Sequence, residues 1–355
     1  MFDNSQENGR AGQHCKVNKH LIISGHIIGA SLYQFRSQLL AWYEARAREL
    51  PWRKSRDPYR VWLSEIMLRQ TRVAAVVEHY HEFQRRFPDV KKLSAAREAS
   101  VLAAWSGLGY YRRARMLHAA ARIVAQKHGG KFPRTAQELR MLPGIGRYTA
   151  AAIASIAFGE PVAVVDGNVE RVIQRITGNP LRGEKLWTEA NGWLDRQRPG
   201  DFNQAMMELG AVVCTPRAPA CLTCPVVHLC ATRGELATGK KAAPRKKREA
   251  HYALNYRKNG RGWEVFLKRR SIQSSLMAGM WELPEIDDLS QVRSGGNAEP
   301  CLTVRHSITV TDYTVRVWRT SAPRSKGKWI PVEGLNNVAL TGLARKILRK
   351  AGVIP

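Results

Sequence analysis

The sequence is poor in acidic residues and has no long apolar run. Its 29 aspartates and glutamates stand against 57 lysines and arginines, which leaves a formal charge of +28. This excess predicts a polyanionic partner, with a small acidic substrate or an acidic membrane surface as alternatives. No stretch reaches the roughly 18 apolar residues of a membrane-spanning helix. Polar residues also interrupt the short apolar segment at residues 21–30. We therefore expect neither a signal peptide nor membrane association.

Cysteine is scarce outside one segment. Four of the six cysteines follow the spacing C-x6-C-x2-C-x5-C, and they are Cys214, Cys221, Cys224 and Cys230. Prolines between them predict a loop, and four crowded thiols in a chain of this size predict a metal or cluster site rather than disulfides. Thiolate ligands suit zinc and a [4Fe–4S] cluster equally well, so the spacing leaves both open. Cys15 and Cys301 are interpreted as ordinary unligated thiols.

The composition changes along the chain. Apolar residues recur at helical spacing through residues 31–230, which predicts a mainly α domain. A basic segment with glycine and proline follows at 233–250, as either a solvated tether or a DNA contact. Alternating residues then predict four strands, at His251–Arg257, Glu264–Lys268, Leu302–His306 and Thr314–Trp318, and a final helix at residues 340–350. The predicted organisation is an N-terminal extension (1–30), a helical domain (31–232), a linker (233–250) and a smaller α+β domain (251–355).

A Leu-Pro-Gly-Ile-Gly segment lies between two predicted helices. Its glycines, Gly144 and Gly146, permit a tight turn, and their N–H groups can approach a phosphate at the start of the next helix. Such a helix–hairpin–helix positions DNA without reading its sequence. An Asp-Gly-Asn motif at residues 166–168 and the four cysteines follow it.

Together these motifs resemble the endonuclease III superfamily of DNA glycosylases, and more of the chain is similar to MutY-type adenine DNA glycosylases. The further matching segments are residues 50–52, 61–68, 107–111 and 202–207. The resemblance is close over residues 31–232. It implies a helix–hairpin–helix glycosylase domain whose four cysteines bind a [4Fe–4S] cluster in an iron–sulfur cluster loop. It also implies a Nudix-like C-terminal domain.

Glu65 and Asp166 are the candidate catalytic carboxylates. Trp62, on the same predicted helix as Glu65, would screen it from water and let it hold a proton near neutral pH. The resemblance implies that Glu65 protonates N7 of a flipped-out adenine, and the alternative is an exposed glutamate paired with Arg69. Asp166 precedes a predicted helix, where the macrodipole favours an anion. We expect a low pKa and a carboxylate that stabilises an oxocarbenium-like sugar, with a simple N-cap as the alternative.

The segment after the hairpin lacks the lysine of endonuclease III-like enzymes. Tyr148 stands at that position, and a phenol cannot form the Schiff base that leads to strand cleavage. The sequence therefore predicts base removal that leaves an abasic site, although Tyr148 could simply pack within its helix. The resemblance also implies that Asn168 helps to arrange the site and that Gln204 lies near the adenine.

Further residues are candidates for DNA contact. Tyr110, in a Gly-Leu-Gly-Tyr-Tyr turn, would wedge between bases unless it is a buried structural tyrosine. The arginines that follow it are expected to hold phosphates, and they are Arg112, Arg113 and Arg115. Arg69 replaces the first glutamine of the family's Gln-Gln-Thr, as a phosphate-binding or stacking residue or as a tolerated substitution. The full candidate set is Arg53, Arg69, Gln70, Tyr110, Gly144, Gly146, Gln204, Ser307 and Thr309.

Two features of the C-terminal family pattern are missing. Residues after Pro284 do not supply the clustered glutamates with which a Nudix hydrolase holds divalent metals, although Glu285, Asp287 and Asp288 are present. We therefore predict lesion recognition rather than nucleotide hydrolysis. The family's Phe-Ser-His loop is also absent. Ser307 and Thr309 remain as candidate contacts, with ordinary strand residues as the alternative.

The sequence thus predicts a monofunctional adenine DNA glycosylase of base excision repair. Its partner would be double-stranded DNA with adenine opposite 8-oxoguanine or guanine. We expect a monomer that is cytoplasmic and nucleoid-associated. The alternatives are a glycosylase for another lesion or mismatch and a non-catalytic, cluster-bearing DNA-binding protein. The presence of both Glu65 and Asp166 in their motifs argues against the non-catalytic alternative.

Overall fold

The computed structural model describes residues 22–23, 26–27, 29–236, 244–260, 262–286, 299–320 and 326–355. The chain divides into two compact units. The helical unit combines residues 1–47 with 163–237, and the mixed unit combines residues 48–162 with 238–355. Most of the predicted N-terminal extension, residues 237–243 of the predicted linker, and Asp287 and Asp288 lie outside the described residues. The domain boundaries given above stay predictions.

The chain from residue 30 to residue 212 is mainly α-helical, as predicted. Its helices are α1 (Ala30–Arg46), α2 (Pro58–Leu68), α3 (Val73–Arg86), α4 (Val90–Ala95), α5 (Glu98–Ala104), α6 (Arg112–Lys127), α7 (Ala136–Leu139), α8 (Arg147–Phe158), α9 (Gly167–Thr177), α10 (Gly183–Trp193) and α11 (Pro199–Val212). Helices α1 and α9–α11 belong to the helical unit, and α2–α8 belong to the mixed unit. Short 3-10 turns occur at Pro51–Arg53, Cys221–Thr223 and Val227–Leu229. Two short antiparallel strands, β1 (Ile22–Ile23) and β2 (His26–Ile27), precede α1.

Side-chain caps explain where several helices begin. Asp57, Asp89 and Asp166 accept hydrogen bonds from first-turn N–H groups of α2, α4 and α9. These bonds satisfy donors that a helix start leaves unpaired. Thr135 forms a capping box with Glu138 at α7. The alanine-rich helix α8 is buried from Thr149 to Ile156 and packs against α2 and α7.

The C-terminal part of the mixed unit is α+β, as predicted. Its elements are β3 (Lys246–Leu254), β4 (Tyr256–Asn259), β5 (Gly262–Arg269), β6 (Trp281–Glu282), β7 (Leu302–Ile308), β8 (Thr311–Arg319), β9 (Lys328–Pro331), a 3-10 turn (Val332–Asn337) and α12 (Gly342–Lys350). One sheet has the order β3–β8–β7, and in the other β5 pairs with β4, β6 and β9. Residues from both sheets and from α12 share one apolar core, which includes Leu267, Val304, Val315, Ile347 and Leu348.

The structure corrects the first predicted C-terminal strand. The segment predicted as His251–Arg257 is two strands, β3 and β4, that meet at Asn255. The buried Asn255 Nδ2 donates to the carbonyl of Thr320 at 2.7 Å, so the chain is redirected there. Strand β3 also begins earlier, at Lys246, because residues 246–254 pair in parallel with 311–319 of β8. Its first four residues are exposed, which is typical of a charged sheet edge.

Candidate functional site

Glu65 lies on α2 in the interior of the mixed unit. Asp57 caps this helix and Pro58 opens it, and the helix is buried at Tyr59 and from Val61 to Met67. Glu65 itself is only 6% exposed. The hydroxyl of Tyr148, on α8, donates a hydrogen bond to Glu65 Oε2 at 2.7 Å. The structure therefore brings together the candidate acid and the residue that stands in place of the lyase lysine.

One guanidinium joins the end of α2 to the turn that carries Tyr110. Arg113 Nη1 donates to three carbonyls at the C-terminal end of α2, those of Ile66, Met67 and Arg69. Its Nη2 donates to the carbonyls of Leu108 and Gly109 in the turn and to the hydroxyl of Thr71, which follows α2. Burial, followed by the charge of Arg69, lowers the pKa of Arg113 to about 10. The expectation that Arg113 holds a phosphate is wrong, because both of its Nη groups are bonded within the protein.

Two candidate DNA-binding residues have left-handed backbones. Tyr110 has φ 46° and Gln70 has φ 59°. Residues other than glycine adopt this region at a cost of order 1–3 kcal/mol, and such residues cluster at functional sites. Tyr110 is 48% exposed, so the buried structural alternative is wrong. The guanidinium carbon of Arg113 lies over the Tyr110 ring, 5.4 Å from its centre, in a cation–π contact.

The helix–hairpin–helix has two glycines with different roles. Gly144 has φ 76°, and a Cβ there would meet the Cβ of Met116 at 2.6 Å, so the fold itself requires glycine. Gly146 caps α8 with an ordinary φ of −89°, and a Cβ there would meet open space. The fold therefore does not explain glycine at residue 146. Close approach of a ligand to the first N–H groups of α8 would explain it.

A cavity of about 1460 Å³ in the mixed unit collects most of the candidate DNA-binding residues. Seven of them line it, and they are Arg69, Gln70, Tyr110, Gly144, Gly146, Ser307 and Thr309. Among the described residues that line it, nine are arginine or lysine and none is aspartate or glutamate. Glu65 and Tyr148 are not among the described residues that line it. Trp62, Ile66 and Gly146, which lie within three residues of them in the sequence, do line it. This charge and size suit a nucleic-acid backbone.

Ser307 and Thr309 lie where β7 and β8 meet. The hydroxyl of Ser307 donates a hydrogen bond to Asp312 Oδ1 at 2.6 Å, and Arg245 Nε donates to the same oxygen at 2.8 Å. Both bonds lower the pKa of Asp312, and the bond from Ser307 has the larger effect. Thr309 has φ 51° and belongs to the hairpin turn. It is therefore not an ordinary strand residue, and its strained backbone faces the same cavity as Tyr110 and Gln70.

Asp166 is in the helical unit at the start of α9. Its Oδ1 accepts hydrogen bonds from the N–H groups of Asn168 (2.9 Å) and Val169 (2.8 Å), and its Oδ2 accepts one from Asn168 Nδ2 (3.0 Å). The N-cap given above as the alternative is present. The predicted low pKa is wrong: burial raises the pKa of Asp166, and this outweighs the hydrogen bonds and the charge of Arg171. Asp166 thus caps a helix and also carries a carboxyl that is largely removed from solvent.

Arg171 connects Asp166 to the cysteine loop, and the sequence analysis missed it. It donates to Asn168 Oδ1 at 2.8 Å, to the carbonyl of Gly210 at 2.6 Å and to that of Cys214 at 2.7 Å. Gly210 lets α11 approach this point, because a Cβ there would meet Asn168 at 2.6 Å. The only sequence signal was arginine at residues 171 and 175, one helical turn apart on α9.

The four cysteines of the predicted cluster line one small cavity of the helical unit. Arg175 Nη1 donates to Cys214 Sγ at 3.3 Å, and the N–H of Arg233 donates to Cys230 Sγ at 3.4 Å. Burial raises the pKa of Cys224 to about 11, and the other three thiols act in the same direction. Four thiols around one cavity, with N–H donors to two of the sulfurs, fit a bound metal group.

Two candidate residues, Arg53 and Gln204, are not among the described residues that line the large cavity. Arg53 Nη1 donates to the carbonyl of Arg48 at 3.0 Å. Gln204 is half-buried on α11, in the helical unit. Its neighbour Asn203, missed by the sequence analysis, accepts a hydrogen bond from the N–H of Val164 at 3.1 Å and so holds the chain just before Asp166. Across the described residues, no helix is both long and apolar enough to span a membrane.

Comparison with known proteins agrees with this arrangement. Residues 63–193 match the family model described as HhH-GPD superfamily base excision DNA repair protein. The chain is 48% identical to human adenine DNA glycosylase over 219 residues, which is 58% of this chain and 40% of that protein. It is 40% identical over 303 residues to adenine DNA glycosylase of Arabidopsis thaliana, which is 71% of this chain and 47% of that protein. The chain thus spans about two fifths to one half of these relatives.

Two solved structures share the fold. A thermostable thymine-DNA glycosylase is 32% identical with a TM-score of 0.54, over 57% of this chain and 96% of that protein. Endonuclease III, in a trapped covalent intermediate with DNA, is 25% identical with a TM-score of 0.50, over 58% of this chain and 98% of that protein. Three observations support the assignment: the family match, the 96% coverage of a 32% identical protein, and the hairpin geometry. The chain belongs to the HhH-GPD superfamily of base excision DNA repair proteins.

Proposed function

We propose that the protein is a monofunctional DNA glycosylase that excises adenine opposite 8-oxoguanine or guanine. The observation that carries the proposal is the hydrogen bond between Tyr148 and the buried Glu65. A carboxyl that can act as an acid is paired there with a side chain that cannot form a Schiff base. The proposal is supported by the curated adenine DNA glycosylases of human and Arabidopsis, which share 48% and 40% of their aligned residues with this chain.

The chemistry begins with extrusion of the adenine from the duplex. Unstacking costs a few kcal/mol, and the exposed ring of Tyr110 would occupy the space that the base leaves. Glu65 then transfers a proton to N7 of the adenine. The glycosidic bond breaks with its electron pair going to the base. Water then adds to C1′ of the sugar and releases a proton, which replaces the one that Glu65 gave up. The products are free adenine and an abasic site.

Asp166 would act on the sugar rather than on the base. As the glycosidic bond breaks, positive charge develops on the sugar ring, and a preorganised carboxylate stabilises that charge without reorganising. Three N–H donors hold the Asp166 carboxylate in one orientation. Asn168 is thus a positioning residue, since it supplies two of those donors. Gln204, Arg53, Gly144, Gly146, Ser307 and Thr309 keep their proposed roles in DNA binding.

We infer that the four cysteines hold a [4Fe–4S] cluster. Four thiols line one cavity of the helical unit. Such a donor set suits zinc and a cluster alike, and the resemblance to the endonuclease III superfamily favours the cluster. We expect purified protein to contain iron and acid-labile sulfide in about equal amounts, whereas zinc without iron would contradict the inference.

A single-turnover assay on labelled duplexes tests the activity. The substrates carry adenine opposite 8-oxoguanine, adenine opposite guanine, and thymine glycol opposite adenine, each analysed with and without hot alkali. We expect breaks at adenine only after alkali, and the guanine duplex measures how strongly the protein prefers adenine opposite the lesion. Breaks without alkali would identify a lyase. Cleavage of thymine glycol alone would indicate another lesion, and binding without cleavage would indicate a non-catalytic protein. A monomer associated with the nucleoid is also proposed.

A further inference from the structure

The last helix, α12, has one apolar and one basic face. Its apolar residues are buried in the core of the mixed unit, and they are Leu343, Ala344, Ile347 and Leu348. Its basic residues line the large cavity, and they are Arg345, Lys346, Arg349 and Lys350. They are spaced three and four residues apart, so they form one continuous surface on the helix.

The fold does not account for this basic face. Like charges four residues apart destabilise a helix, and both Arg345/Arg349 and Lys346/Lys350 are such pairs. The helix dipole favours cations only in the last turn, which contains Arg349 and Lys350 but not Lys346. Lys346 bonds a neutral oxygen, since its Nζ donates to the carbonyl of Arg305 at 2.7 Å. This bond orients Lys346 without neutralising its charge. Arg349 Nε donates to an oxygen of Pro355, the last residue of the chain, at 3.0 Å.

The position of α12 is held firmly. The carbonyl of Leu340, just before the helix, accepts hydrogen bonds from Ser106 Oγ at 2.9 Å and Tyr111 OH at 3.1 Å. Thr341 caps the helix, and Arg345 Nε returns to Ser106 Oγ at 3.0 Å. Tyr111 directly follows the candidate wedge Tyr110. The basic face and the wedge therefore belong to one bonded assembly and stand on the same cavity.

We propose that α12 is a phosphate-binding helix whose basic face grips the backbone of duplex DNA in the large cavity. The proposal rests on the proposed function for the choice of duplex DNA as the occupant. Lys346, Arg349 and Lys350 are the contacts, whereas Arg345 is partly buried against Ser106 and positions the helix. Each of the three cations would release about one counterion on binding.

The test measures DNA affinity against salt concentration for the triple variant Lys346→Gln, Arg349→Gln, Lys350→Gln. The probe is a fluorescent duplex with adenine opposite 8-oxoguanine. Loss of three phosphate contacts is expected to reduce the slope of log affinity against log salt by about 2.7, and to weaken binding roughly 100-fold at 0.1 M salt. The single variant Lys350→Gln, at the helix end, is expected to reduce the slope by about 0.9 and covers the case in which the triple variant fails to fold.

A control variant removes the same charge elsewhere. Lys258, Lys326 and Lys328 are exposed residues of the mixed unit outside the cavity wall, and each is changed to glutamine. An equal loss of slope in this control would overturn the proposal, because net charge alone would then explain the effect. An unchanged slope in the α12 variants would also overturn it. Excision by the unmodified protein is scored separately. If the unmodified protein excises adenine but the α12 variants bind DNA normally, only the α12 proposal is refuted. If the α12 variants lose the slope but the unmodified protein does not excise adenine, only the proposed function is refuted.

Discussion

Glu65→Gln is expected to lower the single-turnover rate of adenine excision by roughly 10²- to 10⁴-fold, which is the usual contribution of a general acid. Glutamine has nearly the same shape and can still accept the hydrogen bond from Tyr148, but it has no proton to give to N7. DNA affinity is expected to stay close to that of the unmodified protein. The measurement is excision from an adenine:8-oxoguanine duplex at saturating enzyme, with affinity measured in parallel.

A matched control is available in the helical unit. Glu189 is also buried, and its Oε1 accepts a hydrogen bond from Trp193 Nε1 at 2.8 Å. Glu189→Gln therefore makes the same chemical change to a buried glutamate that bonds an aromatic donor. We expect it to retain excision at temperatures where the variant is folded. Normal excision by Glu65→Gln would show that some other group donates the proton.

Asp166→Asn is expected to reduce excision by about 10²- to 10³-fold, the range found when a preorganised electrostatic group is removed. Asparagine caps helices about as well as aspartate, so the α9 cap and the thermal stability should be largely kept. What disappears is the negative charge beside the developing sugar cation. The measurement is the single-turnover rate together with thermal unfolding. Asp89→Asn changes another aspartate N-cap, that of α4, and should leave the rate unchanged. A near-normal rate for Asp166→Asn would reduce Asp166 to a structural cap.

The contrast between the cap and the pKa of Asp166 shows what sequence reasoning can reach. A cap depends on the few residues that follow it, so the position of Asp166 before a predicted helix was sufficient to suggest a cap as the alternative role. The pKa depends on how much solvent the rest of the fold removes, and desolvation proved to be the largest effect. The same distinction applies to Arg113. Its sequence context, a basic helix start after a turn, predicted a phosphate contact, whereas its partners are carbonyls of α2 more than 40 residues earlier.

Other differences also come from long-range pairing. The helical part of the chain follows local periodicity and capping, and apolar residues at helical spacing through residues 31–230 predicted it. The parallel pairing of β3 with β8 joins segments more than 60 residues apart, and no local pattern indicates it. The basic residues of α12 were visible in the sequence, but only the structure places them on the wall that also holds Tyr110 and Gly146. Motifs therefore located the chemistry, and packing determined which groups remained available to a ligand.

The bonds of Arg113 have a consequence for how quickly the protein could survey DNA. A loop that orders only on contact must spend time and entropy at every base pair that it tests. Here the folded chain already holds Tyr110 in its left-handed conformation and joins it to the end of α2 through a single guanidinium. A probe in its working shape can sample each base pair during the short residence of a sliding protein. Target lesions are scarce among undamaged pairs, so the search would take time. The probe would not have to order again at each pair that it tests.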